Sequence, residues 1–101
     1  MSTSKVEMDV PFAQDVHVTA DTLTVDLSDG RTISVPLAWY PRLLQASEPE
    51  RQRWRMIGHG EGIHWDDLDE DISVLDLLAG KRSGESQASL AKWLKKRPGT
   101  P

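Results

Sequence analysis

Apolar and polar residues alternate with a period near two from Ala13 to Val35. Val16 and Val18 alternate with Asp15, His17 and Thr19. Leu23, Val25 and Leu27 alternate with Thr24 and Asp26, and Ile33 and Val35 alternate with Thr32 and Ser34. Such segments are half-buried strands, with one face on a core and one in water. Ala20-Asp21 can turn the first pair. Ser28-Asp29-Gly30 turns the second, because Gly30 supplies a positive φ at little cost and Asp29 tolerates one. The pattern predicts an antiparallel three-strand meander.

Pro36 and Pro41 then bracket Leu37-Ala38-Trp39-Tyr40. Proline removes a ladder donor, so the sheet is expected to stop near Val35, and Pro41 can open a short helical turn through Gln45. Ser47 and Glu50 have the spacing of a capping box. Gly58, Gly60 and Gly62 mark a turn or a close backbone approach, and they predict a second hairpin between Trp54–Ile57 and Ile63–Trp65. Asp66 through Asp71 reads as an acidic connector. Ser73 starts another helix, with Leu75, Leu77 and Leu78 as apolar contacts and Gly80 just past its end. Ser83-Gly84-Glu85-Ser86 reads as a linker, after which Leu90, Trp93, Leu94 and Arg97 recur at helical spacing until Pro98-Gly99.

The fold class expected is α+β: an antiparallel N-terminal meander plus a second hairpin, short helices packed on one face, and a C-terminal amphipathic helix. Residues 1–12 are expected to form a poorly ordered arm and residues 13–80 a small α+β domain. Residues 81–101 form a basic tail with a helix near 86–97. No internal repeat is evident.

A length of 101 residues suits one hydrophobic core. The absence of cysteine excludes a disulfide scaffold, a CxxC redox centre and any thiolate metal site. The N-terminus lacks a signal-peptide apolar run, and no stretch approaches the ~20 apolar residues that cross a bilayer. The expected setting is therefore cytoplasmic, without membrane contact.

Charge sharpens the division into body and tail. The net charge is −4, but residues 1–80 hold 15 acids against 6 bases, whereas residues 81–101 hold 1 acid against 6 bases. The local balances are −9 and +5. A basic tail of this kind either docks on its own acidic body or serves as an interaction segment.

Four segments carry a resemblance. They are Leu27-Ser28-Asp29-Gly30-Arg31-Thr32-Ile33-Ser34-Val35-Pro36-Leu37, Trp39-Tyr40-Pro41-Arg42-Leu43, Gly60-Glu61-Gly62-Ile63-His64-Trp65 and Asp67-Leu68-Asp69-Glu70-Asp71-Ile72-Ser73. Together they resemble the bacterial family called domain of unknown function 2442, over roughly residues 13–80. Residues Ser83–Leu94 resemble the extension of its longer members, and Asp66 departs from the family by standing where a proline is expected. The resemblance implies a small α+β fold without a settled activity. It also implies membership of two-gene cassettes of toxin–antitoxin type, some members of which carry an appended helix-turn-helix.

No catalytic motif is recognisable. A metal site at His59 and His64 with the following carboxylates is disfavoured, since residues five apart on a strand point to opposite faces and the spacing is not HExxH. The acidic run lacks the glycine and distal glutamate of a calcium loop. The glycines are not followed by the Lys-Ser/Thr of a phosphate loop. No GxSxG elbow is present. No cofactor and no metal are expected.

Trp39, Trp54 and Trp65 are expected to close the core, while Trp93 on the basic tail must dock somewhere. The candidate interaction surface is His64, Trp65, Asp67, Asp69, Glu70 and Asp71. The candidate tail contacts are Lys92, Trp93, Lys95, Lys96 and Arg97. The expected function is a non-catalytic protein-interaction or regulatory domain with a small basic protein as partner, as in the neutralising member of a toxin–antitoxin-like cassette. The alternative is a nucleic-acid-associated regulator that uses the tail.

Overall fold

The computed structural model describes residues 10–97. Residues 1–9 of the predicted arm, and the predicted helix stop at Pro98-Gly99, lie outside the described residues.

Strands β1 (Ala13–Val18), β2 (Thr22–Leu27) and β3 (Thr32–Pro36) form an antiparallel meander in the order β1-β2-β3. Its inner face is Val16, Val18, Leu23, Val25, Leu27 and Val35, all buried. Gly30 turns β2 into β3 at φ 95°, and the Leu27 N–H donates to the Arg31 carbonyl at 2.8 Å. A 3-10 turn at Leu37–Trp39 then leads to α1 (Pro41–Leu44) and α2 (Glu48–Gln52). The expected capping box opens α2: Ser47 Oγ accepts the Glu50 N–H while Glu50 Oε1 accepts the Ser47 N–H.

The second unit is larger than the predicted hairpin. Strands β4 (Trp54–Ile57), β5 (Gly62–Trp65) and β6 (Glu70–Ser73) form another antiparallel meander, ordered β4-β5-β6. The acidic segment is therefore a tight turn and a strand rather than a solvated connector. Leu68 is buried at the turn and its N–H donates to the Trp65 carbonyl at 3.2 Å, while Asp69 adopts φ 52°. Buried Ile72 anchors the strand that follows. Helix α3 (Val74–Ala79) starts on Ser73, whose Oγ accepts the Asp76 N–H, and ends on left-handed Gly80, as the sequence predicts.

The two sheets share one core, in which Ile63, Trp65, Leu68 and Ile72 join the inner face of the first sheet with Leu37, Leu43, Val74 and Leu77. Backbone contact sews them together. The Ala13 N–H donates to the Gly60 carbonyl at 2.8 Å, and the Val74 N–H donates to the Glu61 carbonyl at 3.0 Å. Gly60, at φ 106°, lies so close to β1 that an added Cβ would fall 2.7 Å from the Ala13 carbonyl oxygen. Of the three tryptophans expected in the core, Trp65 is fully buried and donates its indole N–H to the Arg51 carbonyl. Trp39 and Trp54 are half-buried at its rim.

Helix α4 (Gln87–Lys95) is capped by Ser86, whose Oγ accepts the Ser89 N–H. It docks on the domain. Trp93 packs against the core rim with the guanidinium groups of Arg42 and Arg97 over its ring, 5.0 and 4.5 Å from the ring centre. Arg97 donates to Glu50 Oε1 at 2.6 Å, and Arg42 pairs with Glu85 at 2.7 Å. The predicted linker thus holds a docking residue: Glu85 is tied down, not free. No helix among the described residues is long and apolar enough to cross a membrane.

Candidate interaction site

Three surfaces are candidates for interaction: the β5–β6 turn, the outer face of α4, and an apolar recess beside α3.

At the turn, register places Arg55, His64 and Asp71 in one row across β4, β5 and β6. His64 is clamped at both ring nitrogens. Nδ1 meets the Asp71 carboxylate, and Nε2 lies 2.9 Å from Asp66 Oδ1. The Asp71 hydrogen bond first, and then the charges of Asp71 and Asp66, raise the His64 pKa above its ordinary value despite desolvation. Asp66, the departure from the family's proline, also accepts from Arg55 at 3.3 Å, and that bond holds its pKa low. Asp67 pairs with Arg53 at 2.6 Å. Glu70 is half-buried, and burial pushes its carboxyl up to about 7 against the pull of Arg42.

The candidate residues at the turn therefore separate. Asp67, Asp69 and Asp71 are exposed, His64 and Glu70 are half-buried, and Trp65 is buried. Trp65 belongs to the core because β5 alternation turns it inward beside Ile63, so it offers nothing to a partner. Arg53, Arg55 and His64 answer most of the turn's negative charge from within the chain, and the acidic run is largely self-compensated.

The tail residues separate in the same way. Trp93 and Arg97 face the domain and are engaged there. Lys92, Lys95 and Lys96 are exposed, and none forms an ion pair among the described residues. Their spacing puts them on one side of the helix end.

The recess was not foreseen. It is a concavity of about 390 Å³ lined by Val10, Pro11, Phe12, Glu61, Ser73 and Leu75. Phe12 is 45% exposed and Leu75 60%. Leu78, three residues after Leu75 on α3, and Ile57, near Gly62, are further exposed apolar side chains. One sequence signal pointed here. Val-Leu-Asp-Leu-Leu-Ala in α3 has apolar residues all round, yet only Val74 and Leu77 reach the core. A six-residue helix with two apolar faces has one left over.

A family model described as "Protein of unknown function (DUF2442)" matches residues 13–83. A crystal structure of a protein of unknown function from Rhodospirillum rubrum is similar, with 30% identity and a TM-score of 0.64, over 77% of this chain and 94% of that one. A solution structure of an uncharacterised protein from Chromobacterium violaceum shares the fold. Its TM-score is 0.66 at 18% identity, over 94% of this chain and 84% of that one. No curated protein matches. With the matched region running from β1 to the segment beyond α3, and the fold shared with the Rhodospirillum protein over nearly all of its length, this chain belongs to the DUF2442 family.

Proposed function

We propose that this chain is a non-catalytic interaction domain, the regulatory or neutralising member of a toxin–antitoxin-like pair, and that it binds a small basic protein. The observation that carries this reading is the apolar recess. Large exposed apolar side chains grouped around a concavity are a common mark of a protein-binding surface. Phe12 and Leu75 are the large exposed apolar side chains of the recess lining, and burying them is what a partner would gain. Glu61 in the lining, Asp76 next to Leu75, and the −9 balance of the body favour a partner with basic residues around an apolar anchor. The polar groups support a non-catalytic role. His64 is held at both nitrogens, and the hydroxyls of Ser47, Ser73 and Ser86 are occupied as helix caps.

The test is co-expression with the product of the adjacent gene, followed by size-exclusion chromatography of wild type and Leu75→Asp. Leu75 is exposed enough that the substitution should change stability by no more than about 0.5 kcal/mol. Co-elution with wild type and its loss with Leu75→Asp are expected. Absence of co-elution sinks the cassette reading. Self-association of wild type that Leu75→Asp abolishes would make a second copy the occupant instead.

A second reading rests on α4. Docking through Trp93 and Arg97 turns Lys92, Lys95 and Lys96 outward without counterions among the described residues, which suits contact with phosphates. Binding of duplex DNA followed against salt is the check. Replacing the three lysines by glutamine should lower the salt slope by about 3. An unchanged slope removes the tail from consideration.

A further inference from the structure

The outer face of the first sheet holds a polar cluster that neither functional reading uses. Alternation on β1 and β2 sends Asp15, His17, Thr24 and Asp26 away from the core, and pairing sets Asp15 opposite Asp26. Two carboxylates face to face across antiparallel strands repel each other. A β-bulge creates the pairing. From Ala13↔Leu27 to Asp15↔Asp26, β1 advances two residues while β2 advances one. Bulges re-aim side chains and recur beside functional sites.

His17 lies between the two carboxylates. Its Nε2 is 3.3 Å from Asp15 Oδ2 and 3.7 Å from Asp26 Oδ2. Both separations exceed the ~2.7–3.2 Å of an N–H···O bond, and one N–H cannot serve two acceptors fully. They are near the ~3.4 Å edge of a tetrahedron built on metal–ligand bonds of about 2.1 Å. All three donor atoms lie within 4.8 Å of one another.

The second oxygen of each carboxylate is already occupied. The Val16 N–H donates to Asp15 Oδ1 and the Thr32 hydroxyl donates to Asp26 Oδ1, both at 2.9 Å. Each carboxylate is thus oriented from behind and presents its remaining oxygen to a common point, as the outer shell of a metal site does. His64 is the contrasting case. Its two carboxylates address different ring nitrogens, so no single ion can be shared there.

We propose that Asp15, His17 and Asp26 bind one divalent transition-metal ion of the Zn²⁺ type. One imidazole and two carboxylates suit such an ion, and three protein donors leave a fourth position for water. The side chains are 54%, 59% and 41% exposed, so the site opens to solvent, unlike a buried structural site.

Calorimetric titration of the full chain with Zn²⁺ alone tests the site. One ion per chain is expected, with His17→Ala and Asp26→Asn each weakening binding by at least about tenfold. Thr32→Val keeps every ligand atom but releases Asp26, and should cost about tenfold as well. His59→Ala should bind as wild type does. His17, Thr32 and His59 are exposed and Asp26 is half-buried, and metal-free melting curves of the four variants check that each folds. No saturable uptake by wild type, or undiminished binding by His17→Ala, overturns the assignment.

Discussion

Arg42 and Glu85, 43 residues apart, form a forked ion pair: Arg42 Nε donates to Oε1 at 2.9 Å and Nη2 donates to Oε2 at 2.7 Å. Their side chains are only 17% and 9% exposed, so the pair is largely out of water. Nη1 of the same guanidinium donates to the Leu68 carbonyl at 3.0 Å, and its plane lies over Trp93. One side chain thereby joins α1, the β5–β6 turn and the tail, a task for which planar, multi-donor arginine is suited and lysine is not.

Glu85→Gln should destabilise the protein by about 1–3 kcal/mol, since it leaves a partly buried guanidinium without its counter-charge. Urea unfolding measures the loss, and limited proteolysis should cut first near α4. Arg42 holds the Glu85 pKa below its ordinary 4.5. The contribution is therefore present above about pH 4.5 and lost as pH falls through the lower folded value. A wild-type urea midpoint in Glu85→Gln would show that the tail docks without this pair.

Gly60→Ala should cost about 2–3 kcal/mol, because φ 106° is strained for any side chain and the new Cβ would press on the Ala13 carbonyl at the seam between the sheets. Gly30→Ala has a similar φ of 95° but open space around it, so only the backbone term, about 1–2 kcal/mol, applies. Thermal melts of the two variants compare them directly. Equal losses would mean that the seam yields without penalty.

Stability should fall as pH rises from about 4.5 through 7. The Glu70 carboxyl is raised to about 7 by burial, so the folded state holds its proton more tightly and loses stability between about pH 4.5 and 7. His64, raised above 6.5 by Asp71, contributes fully below that value and loses its contribution as pH passes the higher folded one. Glu50 and Glu85 are both lowered, so their contributions run the other way, present above about pH 4.5 and lost as pH falls through their lower folded values. Glu70→Gln should gain about 1–2 kcal/mol at neutral pH, after allowance for partial exposure, and flatten the lower part of the curve. A wild-type stability that climbs across this range would contradict both assignments.

Most of the backbone was legible because its signals are local. Alternation marks β2 and β3, Gly30 marks their turn, and Ser47, Ser73 and Gly80 mark helix ends through bonds to near neighbours. Strand β6 was hidden because four residues with one deeply buried side chain, Ile72, carry little period, and pairing with β5 supplies the rest. Glu85 looked like part of a linker because its partner, Arg42, is remote in sequence. The recess joins Phe12 to Leu75, and the His17 cluster depends on a bulge that breaks the alternation of β1 at Gln14. Sites that arise between strands leave no contiguous motif.

Hydrogen exchange of the chain in complex with the proposed basic partner, obtained by co-expression, tests the interaction reading most directly. New protection is expected at residues 10–12 and 73–78, which border the apolar recess, with α4 exchanging as in the free chain. Protection confined to residues 92–97 or to the β5–β6 turn, with the recess unchanged, would contradict it.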